Sequence, residues 1–391
     1  MPFKSIIITG TSCAGKSTVA QKLCSEVSIP FEQVQAITTR NRRPDDSNYE
    51  YVSDQEFEML HSQQKLLVSS TYRNKKYGIK KSAYDAVLRR HKVPLLIITP
   101  SSAAELLKEE QEKYMCIFLD AQDALLLERL IDRSGRPLAK KDEKAFLGQN
   151  KKDRIYQDKA HYIIDNIDLK STVDLITLLW EYQSRDGALS QKIITSMIKC
   201  GVLLRNADPS MVKGASYDLR LGDEYYYNGK IQKLSDRKPF LTIEPYDYAI
   251  VSCIETAWMP RDIIAKFGLS VGLFCQGIIL SNGPQIDPGF RGTLFCLLFN
   301  TSNRAVHLKR GKHYATIEFN KLIGYAEPYE GKYQGKKHII DYIPENALHG
   351  AINELKTEVE HLKTESRIMQ NIYLGVVALM FAIISILLVL R

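Results

Sequence analysis

The stretch Ile6-Ile7-Ile8-Thr9-Gly10-Thr11-Ser12-Cys13-Ala14-Gly15-Lys16-Ser17-Thr18 constrains this chain more than any other. An apolar run ends in a glycine, and Gly-Lys-Ser follows after four intervening residues. An amphipathic segment with Val19, Ala20, Leu23 and Val27 comes next. Strand, glycine-rich loop and helix in that order form a phosphate-binding unit. Gly10, Ala14 and Gly15 let backbone N–H groups turn toward phosphate oxygens, and the helix N-terminus adds a positive partial charge over Lys16, Ser17 and Thr18. Lys16 is placed to reach the outer phosphates, and the Ser17 hydroxyl to ligate magnesium. ATP and Mg2+ are the ligands this implies. A unit of this kind commits the region to a parallel α/β sheet with helices on its faces.

The 391 residues leave room for two or three domains. A net charge of +8 suits anionic ligands such as nucleotides, and equally an anionic membrane surface. The basic residues are dispersed rather than gathered in a dense tract, so no nucleic-acid partner is expected. The seven cysteines show no CxxC pair and read as reduced thiols, without a disulfide framework or zinc site. The N-terminal apolar run is too short for a signal peptide and already serves as a strand.

Through about Arg185, apolar runs at Ile6–Thr9, Lys65–Val68, Val93–Thr99, Met115–Leu119 and Tyr162–Ile164 alternate with helical patterns, as in a parallel α/β domain. Ser53-Asp54-Gln55-Glu56 is a capping box ahead of a helix carrying Phe57, Met59 and Leu60. Thr38-Thr39-Arg40-Asn41-Arg42-Arg43-Pro44, followed by Tyr51-Val52-Ser53-Asp54-Gln55-Glu56-Phe57, resembles the guanylate kinases, as do Tyr77-Gly78 and the late Arg154 before His161-Tyr162-Ile163-Ile164-Asp165-Asn166. The resemblance implies a nucleoside monophosphate kinase in which Arg40, Arg43 and Tyr77 hold the acceptor phosphate. It also implies that Lys16, Arg133, Arg136 and Arg154 neutralise the phosphoryl group in transfer. Two positions depart from the family. Val68 stands where the family reads guanine with a carboxylate, and Thr99-Pro100 stands where it has a further acid. GMP is therefore doubtful as the acceptor.

Ser184-Arg185-Asp186-Gly187 reads as a linker to an all-β half of short strands and frequent turns. Tyr225-Tyr226-Tyr227-Asn228-Gly229-Lys230-Ile231 is a hairpin signal, with Asn-Gly supplying positive φ. Ser216-Tyr217-Asp218-Leu219-Arg220-Leu221-Gly222, Ile286-Asp287-Pro288-Gly289-Phe290-Arg291-Gly292 and Lys332-Tyr333-Gln334-Gly335 resemble the dCTP deaminases and dUTPases. Those families are β-barrel-like trimers with nucleotide sites between subunits. The resemblance implies Ser270, Asp287, Phe290, Tyr329 and Lys332 as nucleotide-binding positions. Two family arginines are replaced by Leu269 and Phe274, and the acid/base glutamate by Leu297, so deamination is expected to be lost.

Leu348, Ile352, Leu355, Val359, Leu362, Ser366 and Met369 step by four and three, as in a coiled-coil seam. Ile372 to Leu390 carries no charge and reaches the ~18 residues that span a bilayer. Lys356, Lys363 and Arg367 precede the span and only Arg391 follows it, which places both globular domains in the cytoplasm. The expected organisation is a P-loop kinase domain at 1–187, a dUTPase-like domain at 188–343, a helical stalk at 344–371 and a transmembrane anchor at 372–391. The expected assembly is a homotrimer. Three functions remain open: a monophosphate kinase with a nucleotide-holding second domain, a nucleotide sensor or effector acting at the membrane, or an active deaminase or dUTPase.

Overall fold

The computed structural model describes residues 3–42, 48–72, 74–281, 285–343 and 351–389. Arg43 and the first stalk position, Leu348, lie outside them. The first half contains β1 (Ser5–Gly10), β2 (Phe31–Gln33), β3 (Ala36–Thr38), β4 (Tyr49–Tyr51), β5 (Leu66–Tyr72), β6 (Lys75–Lys80), β7 (Val93–Ile97), β8 (Tyr114–Asp120) and β9 (Tyr162–Asp165). Its helices are α1 (Lys16–Glu26), α2 (Asp54–Ser62), α3 (Lys81–Arg89), α4 (Pro100–Glu110), α5 (Asp123–Ser134), α6 (Lys140–Arg154) and α7 (Leu169–Glu181).

The core sheet runs β2-β7-β1-β8-β9, all parallel. Every residue of β1 is buried, as its uninterrupted apolar sequence requires of a strand covered on both faces. Ile6 and Ile8 pack in one cluster with Val19 and Leu23 of α1 and Leu175 of α7. Ile7, pointing the other way, packs with Tyr84 of α3 and Leu106 of α4. One expected strand lies elsewhere. The run at Lys65–Val68 belongs to β5, in a separate sheet of order β4-β3-β6-β5, antiparallel to β6. The reason is local: only two residues separate β5 from β6, enough for a hairpin and far too few for a parallel crossover.

The second half adds α8 (Gln191–Lys199), a short helix α9 (Val271–Cys275) and eleven strands: β10 (Gly187–Ala188), β11 (Leu203–Arg205), β12 (Ser216–Tyr227), β13 (Lys230–Lys233), β14 (Phe240–Ile243), β15 (Tyr248–Trp258), β16 (Ile263–Leu269), β17 (Ile278–Leu280), β18 (Arg291–Asn300), β19 (Val306–Lys309) and β20 (His313–Lys321). The main path is β10-β20-β12-β15-β18-β17, with β11, β13 and β16 attached to β15, β12 and β20. The β12–β13 turn has φ of 51° at Asn228 and 74° at Gly229, the two positive values a tight hairpin needs. The half is β-rich rather than all-β. α8 was not anticipated; it buries Ile194, Met197 and Ile198 at helical spacing.

The expected linker is part of the joint between the halves. Gly187 and Ala188 pair with Lys321 and Asn320. The Lys321 Nζ donates to the carbonyls of Tyr182 and Gln183 at 3.1 and 2.8 Å, which end α7. The Tyr162 hydroxyl donates to buried Asp262, and Arg205 pairs with Asp165. Beyond the second half, α10 (Ala351–Val389) is one unbroken helix. Its segment Thr357–Ser385 is long and apolar enough to cross a membrane, and none of its most apolar stretch is buried against the protein. The described parts of the expected stalk and anchor, 351–371 and 372–389, are therefore consecutive in a single helix.

Candidate functional site

The glycine-rich loop is built by contacts that only glycine permits. Gly10 has φ of 137°, and a Cβ there would stand 1.9 Å from the Leu119 carbonyl oxygen. Gly15 has φ of 85° and precedes α1 without any side chain capping that helix, so the first N–H groups of α1 remain for an anion. The Asn166 amide donates to the Ala14 carbonyl at 2.7 Å, and Asn150 accepts from Ser12 N–H at 3.0 Å. The Lys16 ammonium turns back onto the carbonyls of Gly10 and Thr11 at 3.0 and 2.6 Å. Burial lowers its pKa to about 8.

The loop opens into a cleft of about 1050 Å3 that reaches Arg40 and Tyr77 at its far end. Among the described residues, Lys16, Arg40, Arg42, Lys75, Arg129 and Arg133 contribute six cations to its walls, against a single carboxylate, Asp153. A cleft so charged suits a polyanion. The Arg40 guanidinium lies 4.8 Å from the centre of the Tyr49 ring, which in turn stands edge-on to Tyr77 at 6.4 Å. Val68 lines the cleft from β5 and packs against Ile79. Beside it the hydroxyls of Ser70, Thr99 and Ser102 are joined by bonds of 3.1 and 2.9 Å. The wall around Val68 is thus apolar and rich in hydroxyls.

The arginines separate. Arg133 lines the cleft; exposed Arg136 is not among the residues that do. Arg154 lies outside it as well, bonded to Asp120 and Asp123 at 2.7 Å each. Those carboxylates hold its guanidinium charged, and Asp120 also accepts from the Thr11 hydroxyl at 2.9 Å. Arg154 therefore reaches the phosphate loop through Asp120. Arg129 went unnoticed in the sequence. It lines the cleft four residues before Arg133, on the same face of α5, and its Nη1 has no partner among the described residues. That i, i+4 spacing was the available signal.

In the second half, Asp287 to Phe290 form a tight turn in which Phe290 N–H donates to the Asp287 carbonyl at 3.1 Å. Gly289 has φ of 73°, and a Cβ there would lie 2.6 Å from the Pro328 Cβ. Tyr329 packs edge-on to Phe290 at 5.5 Å. The Gln334 amide clamps the turn to the following segment, donating to the Gly289 and Tyr329 carbonyls at 2.9 and 2.8 Å. Asp287, Phe290 and Tyr329 are thus neighbours. Ser270 stands apart at the N-terminus of α9, and exposed Lys332 rests over the Tyr333 ring. Leu297 packs with the apolar cluster of Tyr226, Ile250 and Ile339. Val271, Phe274 and Ile279 are 76%, 71% and 55% exposed beside Ser270.

The fold and cleft define a nucleotide-binding protein with a phosphate-loop α/β half and a β-rich half. Residues 3–182 match the guanylate kinase family, and residues 188–322 match the dCTP deaminase-like family. The dCTP deaminase of Thermococcus kodakarensis is 39% identical over 143 residues, 36% of this chain and 91% of that protein. That of Pyrococcus furiosus is 32% identical over 143 residues, 36% of this chain and 90% of that protein. A guanylate kinase structure from Anaplasma phagocytophilum covers 47% of this chain and 87% of its own at 20% identity, with a TM-score of 0.38. The chain belongs to the dCTP deaminase family through its second half, which is fused to a guanylate kinase domain.

Proposed function

We propose that this protein is a membrane-anchored, ATP-dependent kinase of a nucleoside or deoxynucleoside monophosphate other than GMP. The observation that carries this reading is the continuous cleft from Lys16 and Ser17 to Arg40 and Tyr77, lined by cations and ending at Val68 and Thr99. The guanylate kinase family in general uses ATP and Mg2+. The uncapped N-terminus of α1 and the glycine cradle fit the phosphates, and the Ser17 hydroxyl fits the metal. Bound Mg-ATP supplies the phosphoryl group. Lys16, Arg129 and Arg133 neutralise its charge, while Arg40, Arg43 and Tyr77 orient the acceptor. Arg154 acts by holding Asp120 against Thr11. Arg136 joins only if the segment after α5 folds over the cleft. A steady-state panel of GMP, dGMP, dTMP, dUMP, CMP and AMP tests the reading. Turnover with a non-guanine acceptor is expected, and a clear preference for GMP sinks it, since an apolar Val68 leaves the guanine N–H donors without an acceptor there.

The second domain, 188–343, holds a pyrimidine nucleotide through Ser270, Asp287, Phe290, Tyr329 and Lys332 and does not deaminate it. Leu297 supports this, because an aliphatic side chain cannot take up or return a proton. The exposed Val271, Phe274 and Ile279 support the trimer, as does the common trimeric state of dCTP deaminase-like proteins. The segment 344–371 serves as stalk and 372–391 as a single-pass anchor with both domains cytoplasmic. The loss of the glutamate favours a second reading, a sensor whose second domain is occupied in proportion to nucleotide concentration. Ammonia release from dCTP at the rate of a working deaminase refutes both accounts of that domain.

A further inference from the structure

The joint between the two domains contains a cavity of about 280 Å3, separate from the cleft. Asp158 and His161 reach it from the first domain, and Trp258, Arg261 and Arg291 from the second. Four of these side chains carry an N–H with no partner among the described residues: His161 Nε2, Trp258 Nε1, Arg261 Nε and Arg291 Nε. His161 is 1% exposed and Arg261 7%. The tautomer of His161 is set by the backbone, because its Nδ1 accepts from Cys116 N–H at 2.9 Å, so Nε2 carries the proton. Burial beside Arg261 lowers its pKa to about 3, which keeps that tautomer neutral. Trp258 lies between the guanidinium groups of Arg205 and Arg291, 4.5 and 4.3 Å from its ring centre. The carboxylates at the cavity, Asp158 and Glu330, are both exposed, and Asp158 is already paired with Arg291.

Buried polar groups in proteins are almost always satisfied, so four unmatched donors in one wall point to a missing acceptor. None of the unmatched side-chain atoms in this wall is an acceptor. A ligand that offers only acceptors satisfies the wall, and a negative charge on it suits two guanidinium groups whose present partners, Asp158 for Arg291 and Glu327 for Arg261 at 3.4 Å, are exposed surface carboxylates.

We propose that this cavity is a binding site for a phosphate-bearing ligand, held jointly by both domains. Its volume admits inorganic phosphate, pyrophosphate or the phosphate end of a nucleotide. Occupancy joins His161 of one domain to Trp258, Arg261 and Arg291 of the other. Arg291 adjoins the Asp287–Phe290 turn, and Gln334, which clamps that turn, also lines the cavity. The ligand therefore fixes the second domain's proposed nucleotide-binding turn while bracing it against the first domain.

Trp258 is one of two tryptophans, so Trp180→Phe leaves it as the sole indole reporter. In that full-length protein, carrying Lys16→Ala to silence the phosphate loop, phosphate, pyrophosphate, dCTP and ATP are titrated separately while Trp258 emission is followed. A saturable change is expected for at least one. Arg261→Met should weaken it roughly tenfold or more. Arg261→Lys keeps the charge, loses the Nε donor and should fall between the two, which guards against a misfolded methionine variant. The tightest titrant identifies the source of the phosphate. No saturable change with any of the four, or equal affinity in folded Arg261→Met or Arg261→Lys protein, overturns the site and leaves a water-filled joint.

Discussion

Lys16 illustrates how a single side chain is prepared for its ligand. Its ammonium is held on two loop carbonyls and its pKa is drawn down to about 8 by burial. Lys16→Ala should abolish ATP binding without unfolding the protein, at a cost of about 2–5 kcal/mol readable by calorimetry. The protonated form is the one that attracts phosphate. ATP affinity should therefore hold below about pH 8 and decline as pH rises through that value, a trend absent in Lys16→Ala. Unchanged affinity at pH 9 would dissociate Lys16 from the phosphates. Residues of this kind were legible in the sequence because Gly10, Gly15, Lys16 and Ser17 act within one short loop. Val68 and Leu297 were legible as departures from a pattern. His161, Trp258 and Arg261 were not, since each alone reads as an ordinary core or surface residue. They meet only when segments about a hundred positions apart dock.

Elements show the same division between local and distant causes. The β12–β13 hairpin and the Ser53 cap of α2, which accepts from Glu56 N–H at 3.1 Å, follow from residues a few positions apart. β5 was misplaced because an apolar run does not reveal which sheet it joins. α8 was overlooked because it interrupts a stretch otherwise rich in strand signals. The Asp287–Phe290 turn provides a test at this scale. Gly289→Ala combines a positive φ with a Cβ set against Pro328, and should cost about 1–3 kcal/mol in thermal unfolding. It should weaken any nucleotide bound by the second domain more than it weakens ATP binding at the loop. The long helix α10 makes a coarser prediction. Removing 351–389 should shift the protein from the membrane to the soluble fraction, and persistent membrane attachment would show that another surface holds it.

At the scale of the molecule, the halves are locked by buried polar contacts rather than joined by a slack tether. Burial raises the Asp262 carboxyl to about 6, above its unfolded value, while Tyr162 donates to it. A raised acid stabilises the folded state most below its unfolded pKa and loses that contribution as pH rises through about 6. Relative to Asp262→Asn, the natural protein should thus lose about 1 kcal/mol of stability between pH 5 and pH 8. His161, held low, gives the opposite slope below its unfolded pKa, but it is common to both proteins and cancels in the comparison. A constant difference across that range would remove Asp262 from the account. The seam also has a history in time. β10 and the end of α7 leave the ribosome well before Lys321, the residue that pairs with one and covers the carbonyls of the other. The nascent kinase-like half must wait for nearly the whole second half to be synthesised before its exposed edge is covered. Its folding is therefore coupled to elongation, and chains halted before β20 are the ones that chaperones should hold.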